Sequence, residues 1–255
     1  MSIRITTLAE RPHLGDAMWA TSSVMWPLFM TKEPTALLYY HRCDQVWPDF
    51  ILVATEGEQV VGRAMAVPFA FGDPIAPERT VLPDAGWAEV IRWAVADLVD
   101  GRPANCVSAL EISIIPEARG HGLSARLLSG LREVASHVGA SELVAPVRPN
   151  DKHLEPMTPI EEYAFRTRDD GLPADAWLRV HVRAGGWIDR VARNSMIVTG
   201  SLADWRNWTG LAFNADGPWI VPDALEPVIC SLDVDRGTYV EPNVWMRHRL
   251  DAPRV

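Results

Sequence analysis

The sequence predicts an α/β protein whose mixed β-sheet is flanked by helices, and three observations support this class. Short apolar runs typical of strands alternate along the chain with amphipathic segments that have helical spacing. A strand, a helix and a strand follow one another within residues 107–148, so the sheet is expected to be parallel or splayed there. The 255 residues contain no repeat, low-complexity tract or linker, which favours a single domain over residues 1–255.

The elements of the first 100 residues are predicted from the periodicity of their apolar side chains. Residues 2–7 alternate as a first strand, and residues 9–47 are expected to be helical. Two strand-like runs, 50–55 and 60–71, flank a short polar turn and therefore predict a β-hairpin. Residues 87–99 carry their apolar side chains on one face, which indicates an amphipathic helix.

The central unit begins with an apolar strand at 107–115, which Pro116 closes. A helix is predicted over 122–138, because apolar residues recur along one of its faces, and Gly139 is suited to end it. Residues 143–148 have the composition of a further strand. These three segments are the part of the sheet expected to be parallel or splayed.

Beyond the central unit the pattern is less regular. Residues 149–173 are expected to be irregular at both ends, with a short helix at 160–167 between them. A helix at 174–184 and a strand at 187–198 follow. The last segment is expected to contain a helix at 202–208 and strands near 218–221, 227–233 and 238–248.

Composition and charge argue against several classes of protein. The formal net charge is −9, whereas nucleic-acid-binding surfaces are normally basic. No segment reaches the roughly 18 apolar residues that a membrane-spanning helix needs, and the first residues lack the apolar core of a signal peptide. We therefore expect a soluble protein with no nucleic-acid or membrane partner.

The three cysteines are Cys43, Cys106 and Cys230, and they are isolated from one another along the chain. No CxxC or Cys/His spacing surrounds them, so no metal site is predicted. An odd number of isolated thiols fits a reduced, cytoplasmic location.

The loop Arg119-Gly120-His121-Gly122-Leu123-Ser124 joins a predicted strand to a predicted helix. Glycines allow a positive φ and a close approach of the backbone to a ligand. The first N–H groups of a helix have no internal partner, and together with the helix dipole they form an anion site suited to a pyrophosphate. The alternative is an arginine- and glycine-rich turn that only begins a helix, since neither GK[ST] nor GxGxxG is present.

The loop and its neighbours resemble the GCN5-related N-acetyltransferase superfamily. Arg119 and Gly122 match two fixed positions of its acetyl-CoA loop, and Ser124 stands where glycine or alanine is usual. The hairpin around Gly57 and the Gly186–Trp187 pair resemble further features of the family. The resemblance covers residues 50–200, so residues 200–255 are expected to be a C-terminal extension of a core with a centrally splayed sheet.

The resemblance implies binding of acetyl-CoA, or another acyl-CoA, as cosubstrate, without a metal. Pantetheine would lie in the gap beside the strand that precedes the loop, and an amine of a small molecule would attack the thioester directly in a ternary complex. Family members often pair, which adds a homodimer to the expectations. The expected cosubstrate-binding residues are Ile112, Ser113, Ile114, Arg119, Gly120, His121, Gly122, Leu123, Ser124 and Asn150.

Three residues are candidates for proton transfer. Glu111 is an acid in an otherwise apolar strand, and burial would raise its pKa towards neutrality; the alternative is a carboxylate paired with an arginine. The family's usual acid is a tyrosine at the position that Val182 occupies here. The adjacent His181 and, secondly, Tyr163 are possible substitutes, and the alternative for His181 is a histidine packed within its helix.

The leading hypothesis is therefore transfer of an acyl group from acyl-CoA to an amine, with O-acyl transfer or a longer acyl chain as close variants. The missing tyrosine leaves open a non-catalytic acyl-CoA-binding or interaction module. Thioester chemistry without transfer, such as decarboxylation of malonyl-CoA, is a further alternative, because a fold does not by itself specify a reaction. Asp169 and Asp170 are either a site for a cationic acceptor or a solvated acidic pair.

Overall fold

The computed structural model describes residues 3–22 and 26–250. Ser2 of the first predicted strand, and residues 23–25 of the predicted helical region, lie outside these ranges. In the described part of the chain nine strands form one sheet. The strands are β1 (Ile3–Thr7), β2 (Ile51–Glu56), β3 (Gln59–Phe69), β4 (Cys106–Ile114), β5 (Glu142–Val147), β6 (Trp187–Gly200), β7 (Gly217–Trp219), β8 (Val228–Ser231) and β9 (Arg236–Arg249).

The helices begin and end at residues suited to these positions. Gly122 precedes the helix of the central unit with a φ of 72°, and Asp175 accepts hydrogen bonds from two N–H groups at the start of a later helix. A capping box around Ser201 begins another helix. The α-helices are α1 (Gly15–Ala20), α2 (Pro34–Leu38), α3 (Cys43–Val46), α4 (Gly86–Asp100), α5 (Leu123–His137), α6 (Ile160–Ala164), α7 (Ala176–Arg183) and α8 (Leu202–Thr209).

The sheet has the strand order β1-β2-β3-β4-β5-β9-β8-β7, with β6 also paired to β9. Pairing is antiparallel except between β4 and β5, which are parallel. The ladder between these two strands covers Cys106–Ser108 and residues 142–144, after which the strands separate. The mixed, centrally splayed sheet predicted from the sequence is thus confirmed.

The sheet is covered by helices whose apolar faces match the prediction. In α5 the residues Leu127, Leu128 and Leu131 are fully buried, because they recur at helical spacing on the face turned to the sheet. In α4 the residues Val90 and Ile91 are fully buried in the same way. Over residues 3–22 and 26–250 no helix is both long enough and apolar enough to cross a membrane.

The prediction of helix over residues 9–47 is wrong in its continuity. The described part of this region contains three short α-helices separated by 3₁₀ turns. Pro12, Pro34 and Pro48 each stand at the beginning of a new turn, because proline lacks the N–H that would continue a preceding helix. The segment therefore bends repeatedly, and residues from it reach the middle of the sheet.

Candidate active site

A cavity of about 600 Å³ opens where β4 and β5 separate. Its walls come from β4, the loop before α5, the residues after β5, the N-terminal helical segment, α7 and the pair β6–β9. Of the residues predicted from the sequence, the cavity is lined by Glu111, Ile112, Ser113, Ile114, Arg119, Gly120, Gly122, Leu123, Ser124, Asn150 and His181. His121 and Tyr163 are not among the lining residues.

The loop before α5 forms one end of the cavity. Gly120 and Gly122 have φ values of 83° and 72°, which only glycine adopts without strain. A Cβ atom at either glycine would meet no protein atom within 4 Å, so the space beside the loop is open to a ligand. Arg119 donates from Nε to the carbonyl of Ile114 at 3.0 Å, and its side chain is otherwise exposed. The open space, the helix N-terminus and the guanidinium together suit an anionic phosphate group.

Glu111 lies in the middle of the sheet and lines the same cavity. Its Oε1 accepts hydrogen bonds from Arg63 Nε at 2.9 Å and from Trp26 Nε1 at 3.2 Å. Its Oε2 accepts from Arg63 Nη2 at 3.1 Å and from the hydroxyl of Tyr40. A carboxylate has about four lone-pair sites, so protein donors occupy all of them.

Burial raises the pKa of Glu111 to about 7, and hydrogen bonds from Ser113 and Trp26 act in the opposite direction. The two contacts with Arg63 also favour the charged carboxylate. Burial of Glu111 thus shifts its pKa from the usual acidic range towards neutrality. The sequence suggested two alternatives for Glu111, burial with a raised pKa or pairing with an arginine, and the structure shows burial and an arginine partner together.

Arg63 joins Glu111 to the N-terminal segment. Its Nη1 donates to the carbonyl of Met18 at 3.0 Å and to Ser22 Oγ at 2.9 Å, and its guanidinium carbon lies 4.9 Å from the centre of the Trp19 ring. Sequence reasoning missed this residue, although an arginine within the apolar run of β3 was a visible sign that a buried acid lies nearby.

His181 is buried in α7, and its Nδ1 lies 2.9 Å from Nε2 of His248 in β9. Burial lowers the pKa of His181 to about 3 and that of His248 to about 4. Both rings are therefore neutral at physiological pH, and one donates the hydrogen bond that joins them. His248 was not predicted, since it lies 67 positions from His181 in the sequence.

Tyr163 lies in α6, apart from the cavity lining. Its hydroxyl donates to Asp175 Oδ2 at 3.1 Å, and burial together with this carboxylate raises its pKa. The same carboxyl group caps α7. In this structure Tyr163 therefore contacts the cap of a helix, and its proposed role as an acid stays a prediction.

A second buried carboxylate, which sequence reasoning missed, lines the cavity from β9. Glu241 Oε2 accepts from Tyr239 at 2.7 Å and from Arg148 Nε at 3.0 Å. Its Oε1 has a longer contact of 3.4 Å with Asn243 Nδ2. By contrast, Asp170 is exposed and accepts from Leu172 N at 3.1 Å within a turn, as expected of a solvated acid.

Among the described residues, no group of three or more His, Cys, Asp or Glu side chains is placed to hold a metal ion.

The cavity combines a loop suited to a phosphate group at one end, the separated strands β4 and β5 in the middle, and two buried carboxylates. A thioester lying along β4 would have Glu111 beside it.

The strand order, the separation of β4 from β5 and the glycine loop at the end of the gap define the fold of the GCN5-related N-acetyltransferase superfamily. The solved loading GNATL domain of CurA from Lyngbya majuscula superposes with a TM-score of 0.62 over 97% of this chain and 96% of that domain, at 16% identity. The GNAT-like decarboxylase GphF, solved in complex with isobutyryl-CoA, superposes with a TM-score of 0.59 over 98% of this chain and 100% of that one, at 19% identity.

A curated relative is the arginine N-acetyltransferase avaD of Aspergillus versicolor. It is 29% identical to this chain over 277 aligned residues, which cover 96% of this chain and 93% of that protein. No family model matches the chain. The resemblance predicted from the loop and its neighbours is thus confirmed by the fold and by a relative that spans nearly the full length.

Proposed function

We propose that the protein transfers an acyl group from acyl-CoA to an amine of a small molecule by direct attack within a ternary complex. The observation that carries the proposal is the single cavity that joins the Arg119–Ser124 loop to Glu111 between the splayed strands. The similarity to an arginine N-acetyltransferase over almost the whole chain supports an amine acceptor and makes acetyl-CoA and arginine the first pair to assay.

The donor is assigned to the gap between β4 and β5. Beyond Ser108 the backbone of β4 has no ladder partner on the β5 side, so the backbone groups of Ile112, Ser113 and Ile114 that neither pair with β3 nor accept from Arg119 are assigned to pantetheine. N–H groups at the start of α5 and the Arg119 guanidinium would hold the pyrophosphate. Asn150, which lines the cavity at the end of β5, is assigned to the pantetheine arm.

The proton released by the acceptor is assigned to Glu111 through Tyr40. Protein donors already occupy both oxygens of Glu111, so an amine has no free site on this carboxylate. Tyr40 lines the cavity and donates to Glu111 Oε2. Its oxygen can accept the proton of the attacking amine while its own proton passes to Glu111.

His181 is assigned a role as a neutral hydrogen-bond partner of the reacting thioester. It lines the cavity at the helix position next to the one that holds the family's tyrosine, and burial keeps it uncharged. As the amine forms its bond to the carbonyl carbon, the C–S bond breaks and negative charge moves to sulfur. A fixed N–H near that sulfur would stabilise the leaving thiolate.

The proposal is tested by incubating the protein with acetyl-CoA and a library of amines, and following free thiol together with the mass of each amine. Thiol release that equals amine acetylation supports it. Binding of CoA with no product from any amine would favour the binding module instead. Pairing into a homodimer and a cytoplasmic location stay predictions that this assay does not address.

A further inference from the structure

The two buried carboxylates of the cavity differ in how completely protein donors occupy them. Glu111 accepts hydrogen bonds at both oxygens from Arg63 and from two aromatic side chains. Glu241 accepts its two short bonds on Oε2 alone. The 3.4 Å contact from Asn243 leaves Oε1 of Glu241 with unused acceptor capacity.

Because Glu241 is buried, the unused acceptor capacity of its Oε1 costs free energy of folding unless a ligand donates a hydrogen bond to it. Its side chain is only 1% exposed, although the residue lines the cavity. A buried carboxylate oxygen that accepts one long hydrogen bond regains only part of the hydration it would have in water. Arg148 already contacts Oε2 through Nε, so Oε1, with its single long contact from Asn243, is the oxygen with capacity for a bound molecule.

The negative charge of Glu241 and the lining of the rest of the cavity favour a cation over a neutral donor as the ligand of Oε1. The buried arginine that lines the cavity, Arg63, already donates to Glu111, Met18 and Ser22. Aromatic rings line the part of the cavity around Glu111, and such rings accommodate the alkyl chain of an acceptor that extends from there towards Glu241. These rings belong to Trp19, Trp26, Tyr40 and Trp87.

We propose that the acceptor carries, besides the amine that is acylated, a second positively charged nitrogen group, guanidinium or ammonium, that binds Oε1 of Glu241. This inference rests on the proposed function and names the substrate class of the same site. The acceptor would extend from the thioester beside Glu111 to Glu241. The exposed pair Asp169 and Asp170, considered from sequence as a cation site, would then have no part in recognition.

The test uses acceptors that differ in charge but keep the reacting amine. L-arginine is compared with L-citrulline, its uncharged ureido analogue, and 1,4-diaminobutane with 4-amino-1-butanol. For the wild-type protein we expect kcat/KM to be at least about tenfold higher for the cationic member of a pair, because hydrogen bonds to charged groups are worth more than neutral ones. Comparing the preference in the arginine pair with that in the diaminobutane pair shows whether a guanidinium or an ammonium group binds better.

Glu241→Gln keeps the size of the side chain and removes its charge, so it should reduce the preference for the cationic member to about onefold to threefold. Asp170→Asn removes the same charge from an exposed turn and should leave the preference intact. Equal kcat/KM values within each pair for the wild-type protein would overturn the inference, even if Glu241→Gln did not fold. A preference that survives in folded Glu241→Gln would overturn it too. Acylation of no amine at all would instead reject the proposed function.

Discussion

Arg63 holds Glu111 through two parallel hydrogen bonds, from Nε to Oε1 at 2.9 Å and from Nη2 to Oε2 at 3.1 Å. Both side chains are almost completely buried, with 1% and 4% exposure. Removing two charges from water is costly, and buried ion pairs often add little net stability. Such a pair at the edge of an open cavity is therefore better explained by the chemistry of the site than by the stability of the fold.

Replacing Glu111 tests whether it receives the proton. Glu111→Gln should lower kcat by about a hundredfold or more, the usual scale of general-base catalysis, while the affinity for CoA, measured by calorimetry, stays close to wild type. Glu117→Gln, an exposed change just beyond β4, is the matched control. Unchanged turnover in a folded Glu111→Gln protein would remove this residue from the mechanism.

The same assignment predicts the pH dependence of the wild-type protein. Burial raises the pKa of Glu111 to about 7, and the carboxyl group can accept a proton only after losing its own. The rate should therefore rise as pH increases through about 7, and this limb should stay in place when the acceptor is exchanged for an amine of different pKa. If the pH at which the rate rises changes with the pKa of the acceptor, the rise reflects deprotonation of the amine and not of Glu111.

Tyr40→Phe tests the path of the proton. The substitution keeps the ring in the cavity wall and removes the hydroxyl that contacts Glu111, so kcat should fall at least about tenfold with little change in the KM for acyl-CoA. Tyr39→Phe makes the same chemical change at the neighbouring, more exposed ring and should be neutral. Equal turnover of the two variants would contradict a relay through Tyr40.

His181 is predicted to act without changing its charge. Because burial lowers its pKa to about 3, His181→Phe should reduce kcat at all pH values between 5 and 9 by a similar factor, about tenfold to a hundredfold. The variant is characterised by a full pH profile of kcat and by its thermal melting curve. Loss in the variant of a limb that the wild-type profile shows in that range would indicate that the wild-type ring titrates, against this account.

The loop before α5 is tested at Gly122. A side chain at this position would enter the open space beside the loop, so Gly122→Trp should abolish binding of CoA. Gly139 has a similar φ, 78° against 72°, and also faces open space, just beyond the other end of α5. Gly139→Trp therefore carries the same backbone strain and should bind CoA normally. Intact binding by a folded Gly122→Trp protein would remove the loop from the site.

Most of the residues proposed to bind the donor could be found in the sequence because they are contiguous. The loop and the strand before it occupy one short stretch, and the alternation of β4 identified Glu111 as an unusual acid. The partners of that acid were not predictable, since Arg63 and Tyr40 lie 48 and 71 positions away. Tyr40 reaches Glu111 because the prolines of the N-terminal segment break it into short turns, where the sequence suggested helix.

The proposed acceptor side of the cavity depends on β9, which lies beside β5 although β6, β7 and β8 come between them in the sequence. Through the pairing of β9 with β5 and β6, Glu241 lines the cavity and His248 contacts His181. No local pattern around either residue indicates it, whereas the Gly186–Trp187 pair correctly marked where β6 begins.

The central claim is coupling between thioester cleavage and acylation of an amine, and it is tested most directly with acetyl-CoA, L-arginine and the purified protein. Release of free CoA should depend on the amine, and an equal amount of acetylated arginine, or of another acetylated amine from the library, should appear by mass spectrometry. No acetylated product with any amine, or consumption of malonyl-CoA to acetyl-CoA and CO₂ in its place, would contradict the account.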